Sequence, residues 1–217
     1  MPTELLKEKP AARPRRGPGA PGRGYGGDGA RPRGPESPVV APLTAFIAVG
    51  AVLAAVAMLF VAFTTAYLAR RQEAGWTPIA LPAVLWLNTA VLLASSGTFE
   101  WARARLVRAD PAGARHGLGW TAGLGAAFVI GQLAAWRQLA AQGVYLASNP
   151  HSSFFYLLTG AHGLHLLGGL VALAVVIVRA HRNRYTPAAH TGLAVCALYW
   201  HFMDALWLYL FALLFWL

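Results

Sequence analysis

Two pairs of polar residues stand where few polar residues are tolerated. His162 and His165 lie three apart in "FFYLLTGAHGLHLLGG", and His201 and Asp204 lie three apart in "YWHFMDALWLYLF". Both stretches are otherwise apolar. Spacing of three places each pair on one helix face. Such a set could ligate a metal, hold a haem or relay protons. The same spacing suits an interhelical hydrogen-bond network, and the small residues of "TGAHGLHLLGG" would let helices approach closely. A zinc site needs three or four convergent ligands and a supporting shell. A haem site needs axial ligands inside a large apolar pocket. Spacing alone supplies neither, so the hydrogen-bond network is the expected role. No catalytic, cofactor-binding or metal-ligating residue is expected in the chain.

Other polar residues repeat this pattern. Thr89, Ser96 and Glu100 stand at i, i+7 and i+11 and line one helix face. Glu100 lies beside Trp101 and Arg103 at the end of its apolar segment, where an interfacial charge costs little. Gln132 has Trp136 one turn on. Cys196 is the single cysteine, so neither an intrachain disulfide nor a cysteine metal cluster can form. No phosphate-binding glycine loop and no nucleophile elbow is present.

The elements that carry these residues must be membrane helices. The chain has 217 residues, 57% hydrophobic and only 12% charged. A soluble domain carries about 25% charged residues. Five apolar segments run over about 43–68, 81–101, 118–136, 154–178 and 191–217. Each approaches the roughly 20 residues that a helix needs to cross hydrocarbon, and a helix satisfies its own backbone there. The expected fold is an all-α membrane bundle of five transmembrane helices over residues 43–217.

Residues 1–42 are rich in Pro, Gly and Arg. This composition cannot bury a core and is expected to be a disordered tail, solvated or held against anionic lipid. It contains no apolar segment of signal-peptide type. The net charge of +10 would suit nucleic acid, but its distribution points to the membrane instead. Eight of the 18 Lys and Arg precede residue 43. Arg103, Arg105, Arg108 and Arg115 follow the second segment, and Arg179, Arg182 and Arg184 follow the fourth. Those regions share one side of the membrane; Arg70, Arg71 and Arg137 lie on the other. The positive-inside rule then predicts a cytoplasmic N-terminus and an external C-terminus.

The stretch "FFYLLTGAHGLHLLGG" followed by "YWHFMDALWLYLF" resembles subunit III of the haem–copper oxidases, the cytochrome c oxidase subunit III family. "LNTAVLLASSGTFEWA" and "GQLAAWRQLAAQGVYL" resemble earlier spans of that family, so the resemblance covers about residues 43–217, in order. It implies a short five-span bacterial form, lacking the first two of the seven spans of the common form, in the bacterial plasma membrane. It implies an accessory subunit without haem or copper, which its partners carry. That subunit packs on catalytic subunit I, in a complex with subunit II and other oxidase subunits, and binds phospholipid in a cleft between two helix groups. Its implied role in aerobic electron transport is to sustain proton uptake and protect the proton-pumping catalytic subunit during turnover. Many members carry a glutamate in the middle of the first span present here. The matching region "AAVAML" around Val56 has none, so no proton role transfers to that position.

His162, His165, Trp200, His201 and Asp204 match the family's motifs and, with Glu100, are the expected buried polar, helix-contact or lipid-cleft residues. Both pairs fall roughly ten residues into their spans, so their depths are compatible, and His162 or His165 is the expected partner of His201 and Asp204. Related alternatives are a quinol oxidase subunit and a homologue associated with nitric oxide reductase. The electron donor docks elsewhere, so these stay open, as do the partner's haem types and membership of a supercomplex. An alternative of another class is a stand-alone transporter or metal-binding membrane protein using the His/Asp set.

Overall fold

The structure, a computed structural model, describes residues 40–72 and 75–216. The expected tail lies outside the described residues except at its last three positions. Five helices follow: α1 (Val40–Arg70), α2 (Val84–Val107), α3 (Pro111–Ala141), α4 (Pro150–His181) and α5 (Thr191–Trp216). Each coincides with one apolar segment of the sequence.

The helix ends have local causes. Asp110 caps α3 by accepting from the Gly113 N–H at 2.8 Å, and Pro111 follows at the first helical position. Asn149 and Ser152 form a reciprocal capping box at the start of α4, again with proline next. Three helices stop in the same way. Ala109, Gly143 and Asn183 adopt left-handed backbone at φ 57°, 77° and 52°. At each, the amide of the next residue reaches back to a carbonyl of the last turn: Asp110 to Arg105, Val144 to Leu139 and Arg184 to Arg179.

Helices α2, α3, α4 and α5 close a ring of contacts, and α1 lies outside it against α4 and α5. The α2–α3 pair is an antiparallel hairpin. Ala102 packs on Gly117, the Thr98 and Thr121 hydroxyls meet at 2.9 Å, and Asn88 donates to the Phe128 carbonyl at 3.3 Å. A Cβ on Gly117 would stand 2.7 Å from the Ala102 Cβ, so glycine is what lets the backbones close. Helix α1 instead runs parallel to α5: Tyr209 donates to Thr64 at 2.8 Å, and Ala57 and Phe60 share a groove with Phe202 and Leu206.

Helices α1, α3, α4 and α5 are long and apolar enough to cross a membrane. Helix α2 is not among them, where the sequence led us to expect five such spans. Its 24 residues are about 36 Å long at 1.5 Å per residue, so length is not the shortfall. Its apolarity is reduced by Asn88, Thr89, Ser95, Ser96, Thr98 and Glu100. All six are satisfied by or turned toward the bundle: Asn88, Thr89 and Ser95 are buried, Ser96 and Thr98 are partly so, and Glu100, though exposed, reaches His201 of α5.

Candidate functional site

The polar face of α2 is read by α5, residue by residue. Thr89 and Ser95 use their own hydroxyl protons on α2 carbonyls, Leu85 at 2.9 Å and Leu92 at 2.6 Å. Their oxygens remain free to accept. Trp207 Nε1–H donates to Thr89 and Trp200 Nε1–H donates to Ser95, both at 3.0 Å. Both indoles are buried, so each N–H needs an acceptor. Closer to one end of the bundle stand Ser96 and Glu100 from α2 and His201 and Asp204 from α5. The i, i+4 pair on α2 meets the i, i+3 pair on α5 because the two helices run antiparallel.

Four side chains there form one hydrogen-bonded chain. Ser96 donates to Asp204 Oδ2, and Ser96 Oγ meets His201 Nδ1 at 2.9 Å. His201 Nε2 meets Glu100 Oε1 at 2.7 Å, and Arg103 donates to that same oxygen at 2.6 Å. Exposure is graded along the chain. The Glu100 side chain is 49% exposed and His201 36%, while Asp204 is only 5% exposed. The other carboxylate oxygen of Asp204, Oδ1, is buried without a hydrogen-bond partner among the described residues.

Proton counting shows what this arrangement can do. Ser96 has one hydroxyl proton. If it goes to Asp204, then Ser96 accepts from His201 Nδ1–H, and Nε2–H donates to Glu100, making His201 an imidazolium between two carboxylates. Reversing two bonds gives the other state. Asp204 then holds a proton and donates to Ser96, Ser96 donates to a neutral Nδ1, and Nε2–H still donates to Glu100. Both states have the same atoms, the same proton count and, with Arg103, zero net charge. One proton can therefore move between His201 and Asp204 through the Ser96 hydroxyl without charging the bundle.

A sequence model of the family described as Cytochrome c oxidase subunit III matches residues 41–217, the whole helical body. The chain belongs to the cytochrome c oxidase subunit III family. It is 36% identical over 163 residues to a probable cytochrome c oxidase subunit 3 of Mycobacterium tuberculosis, covering 73% of this chain and 80% of that one. It is 38% identical over 154 residues to a probable cytochrome c oxidase subunit 3 of Nocardia farcinica, covering 69% and 76%. The cytochrome c oxidase subunit 3 of Thermostichus vulcanus is 34% identical over 157 residues, covering 70% and 77%.

Within this subunit III fold, the partner expected for His201 and Asp204 is wrong. Neither His162 nor His165 reaches them; Ser96 and Glu100 of α2 do. The reason is packing on the shared α4–α5 boundary, where large rings intervene. His162 is buried between Phe128 and Trp207, with ring centroids 5.9 and 5.2 Å away, and neither nitrogen has a hydrogen-bond partner among the described residues. His165 spends its Nδ1 on the Ala161 carbonyl at 2.7 Å and packs edge-on against Phe60 of α1. The two histidines share a helix face but no common ligand point. Among the described residues, no three His, Cys, Asp or Glu side chains converge as metal ligands.

Trp200 does join the polar ladder, through Ser95. Gln132 is buried, and its amide makes no hydrogen bond among the described residues, while Trp136 donates to Thr159 of α4 at 3.1 Å. Sequence reasoning placed Ser96 on the right face but missed it as the hub. The matching signal was present: Ser96 and Glu100 repeat at one helical turn, as His201 and Asp204 nearly do. His151, a buried imidazole at the start of α4, was missed altogether.

Proposed function

We propose that this chain is the cofactor-free accessory subunit III of a haem–copper terminal oxidase, packed against the catalytic subunit and supporting its proton uptake and endurance. The observation that carries this reading is the family match over residues 41–217, which spans every helix. In this reading all five helices cross the plasma membrane of a bacterium. Support for α2 as a crossing comes from its antiparallel pairing with α3, whose register runs from Asn88 to Ala102. A helix paired over that length follows its partner through the bilayer, and its polar groups are covered by protein rather than lipid.

The basic residues favour a cytoplasmic N-terminus. Glu100, Arg103 and His201 then sit at the cytoplasmic end, and Asp204 lies deeper. The hydrogen-bonded chain is primarily a tie between α2 and α5. Its internal proton exchange lets that tie hold at either protonation pattern while protons are taken up next to it. Haem and copper belong to the partner subunits in this reading, and the exposed apolar faces of the helices, including Ile47, Met58 and Val61 of α1, supply contact area for subunits or lipid.

The test is copurification. The tagged chain, extracted in mild detergent, should bring down proteins carrying haem and copper in fixed proportion. Recovery of the chain alone, with the oxidase assembled elsewhere, would overturn the reading.

A further inference from the structure

A cavity of about 510 Å³ lies well away from the Ser96–Asp204 chain. It is bounded by the C-terminal end of α1, residues 76–81, the N-terminal end of α4 and the C-terminal end of α5. Its walls include Tyr67, Arg71, Trp76, His151 and Trp216. The site stands on these residues and does not depend on the oxidase reading.

His151 is held there by design of the fold. The Ile79 backbone N–H donates to its Nδ1 at 3.0 Å. A nitrogen that accepts carries no proton, so the neutral ring has its proton on Nε2. Trp76 stacks on the imidazole at 5.0 Å and 24°, and Tyr67 meets it edge-on at 6.1 Å. The ring is therefore fixed in place and is 5% exposed. Its Nε2 is nevertheless buried without a hydrogen-bond partner among the described residues. A buried donor that lacks an acceptor is costly and calls for a reason.

Two more features of the same sign meet it. Arg71 lines the cavity, and its guanidinium makes no ion pair with a described carboxylate. His151 is the second residue of α4, a 32-residue helix, whose N-terminal end carries partial positive charge. No acidic side chain is among the described lining residues. Leu214, Phe215 and Trp216 supply an apolar wall beside this positive corner.

We propose that this cavity is an oxyanion site for the phosphate group, with Arg71 and the His151 Nε2–H as its donors. The cavity lies at one end of the helices, where α1 meets α4 and α5, and residues 76–81 close it. The apolar wall suits a phosphodiester that carries acyl chains; free phosphate presents the same oxygens without them.

The full-length chain in detergent is dialysed to equilibrium against labelled dihexanoyl phosphatidylglycerol and, separately, against labelled inorganic phosphate. Wild type should bind one equivalent of at least one probe. Arg71→Gln and His151→Phe should each weaken that binding about tenfold or more, as expected for loss of one charge-assisted or buried hydrogen bond. Arg71 is exposed, so its variant keeps the test valid even where His151→Phe disturbs the loop held by Ile79. Binding of the lipid alone assigns the site to a headgroup, and equal binding of both assigns it to phosphate itself. Absence of saturable binding, or equal affinity in wild type and Arg71→Gln, overturns the proposal.

Discussion

Ser96→Ala should loosen the α2–α5 junction more than any other single methyl-sized change on α2. The hydroxyl links His201 and Asp204, so its loss removes two hydrogen bonds at once. Asp204 suffers most. Its Oδ1 already lacks a partner, and Oδ2 would lose the one it has, at 5% exposure. Leaving a buried polar group unsatisfied costs about 1–3 kcal/mol. Measured hydrogen bonds within membranes average nearer 0.6 kcal/mol, because the unfolded chain in lipid also finds partners. The expected loss is therefore about 1–2 kcal/mol, which is about five- to thirtyfold in the assembled fraction where assembly is at equilibrium. The assay is a double-mutant cycle of Ser96→Ala and Asp204→Asn, read as thermal stability in nanodiscs. Coupling above about 0.5 kcal/mol is expected. His162→Phe with Asp204→Asn should be additive, since those residues share no hydrogen bond. Additive Ser96 and Asp204 effects, or coupling that appears only with His162, would refute the geometry described above.

Three further outcomes follow from the helix ends and the packing. Ala109 sits in left-handed backbone that glycine adopts without steric cost, so Ala109→Gly should stabilise the α2–α3 hairpin by up to about 1 kcal/mol, measured by thermal melting. Lower stability would contradict the left-handed C-terminus. The Gly113 N–H, and then the Arg105 guanidinium, hold the Asp110 carboxyl below the usual carboxylate range. Its cap is thus complete above a pH of about 4, the unfolded value, and is lost as pH falls through the lower folded value. Exchange of the Gly113 amide should accelerate over that acidic window in wild type but not in Asp110→Asn; identical profiles would count against the cap. At Gly125, an added Cβ would stand 2.7 Å from Trp200 Cη2. Gly125→Ala should push Trp200 off Ser95 and cost about 1–3 kcal/mol, with a change in tryptophan fluorescence; an unchanged spectrum and melt would show that the indole has room.

Much of the architecture was legible because bilayer-length apolar runs leave few choices for the backbone. The same runs understated the helices. Helix α3 continues to Ala141, past the apolar limit near Trp136, because its end is set by the Gly143 turn rather than by loss of apolarity. Helix α2 starts at Val84 rather than Leu81, since the residue before Pro82 is disfavoured in helix. The polar residues were legible as a set facing other helices, but their pairing was not. His201 shares a compatible depth with His162 and with Glu100, and only the antiparallel contact of α2 with α5 chooses between them. Spacing within a helix reports a face; it does not report which neighbour covers that face. His151 was silent for a related reason, since its partner is a backbone amide, Ile79, that no side-chain pattern reveals.

The central claim is that this subunit sustains an oxidase without performing its chemistry, and oxygen consumption over many turnovers measures that claim most directly. Complexes with and without the chain are compared at equal haem and copper content. The initial rate should survive removal of the chain, because in the proposed reading haem and copper belong to the partner subunits. The number of turnovers before inactivation should fall, since in the proposed reading removal exposes an apolar flank of the catalytic subunit and disturbs proton entry beside it. A zero initial rate with intact haem and copper would place an essential catalytic group in this chain and contradict the account. Equal rates and equal lifetimes would contradict it as well, by confining the chain to assembly.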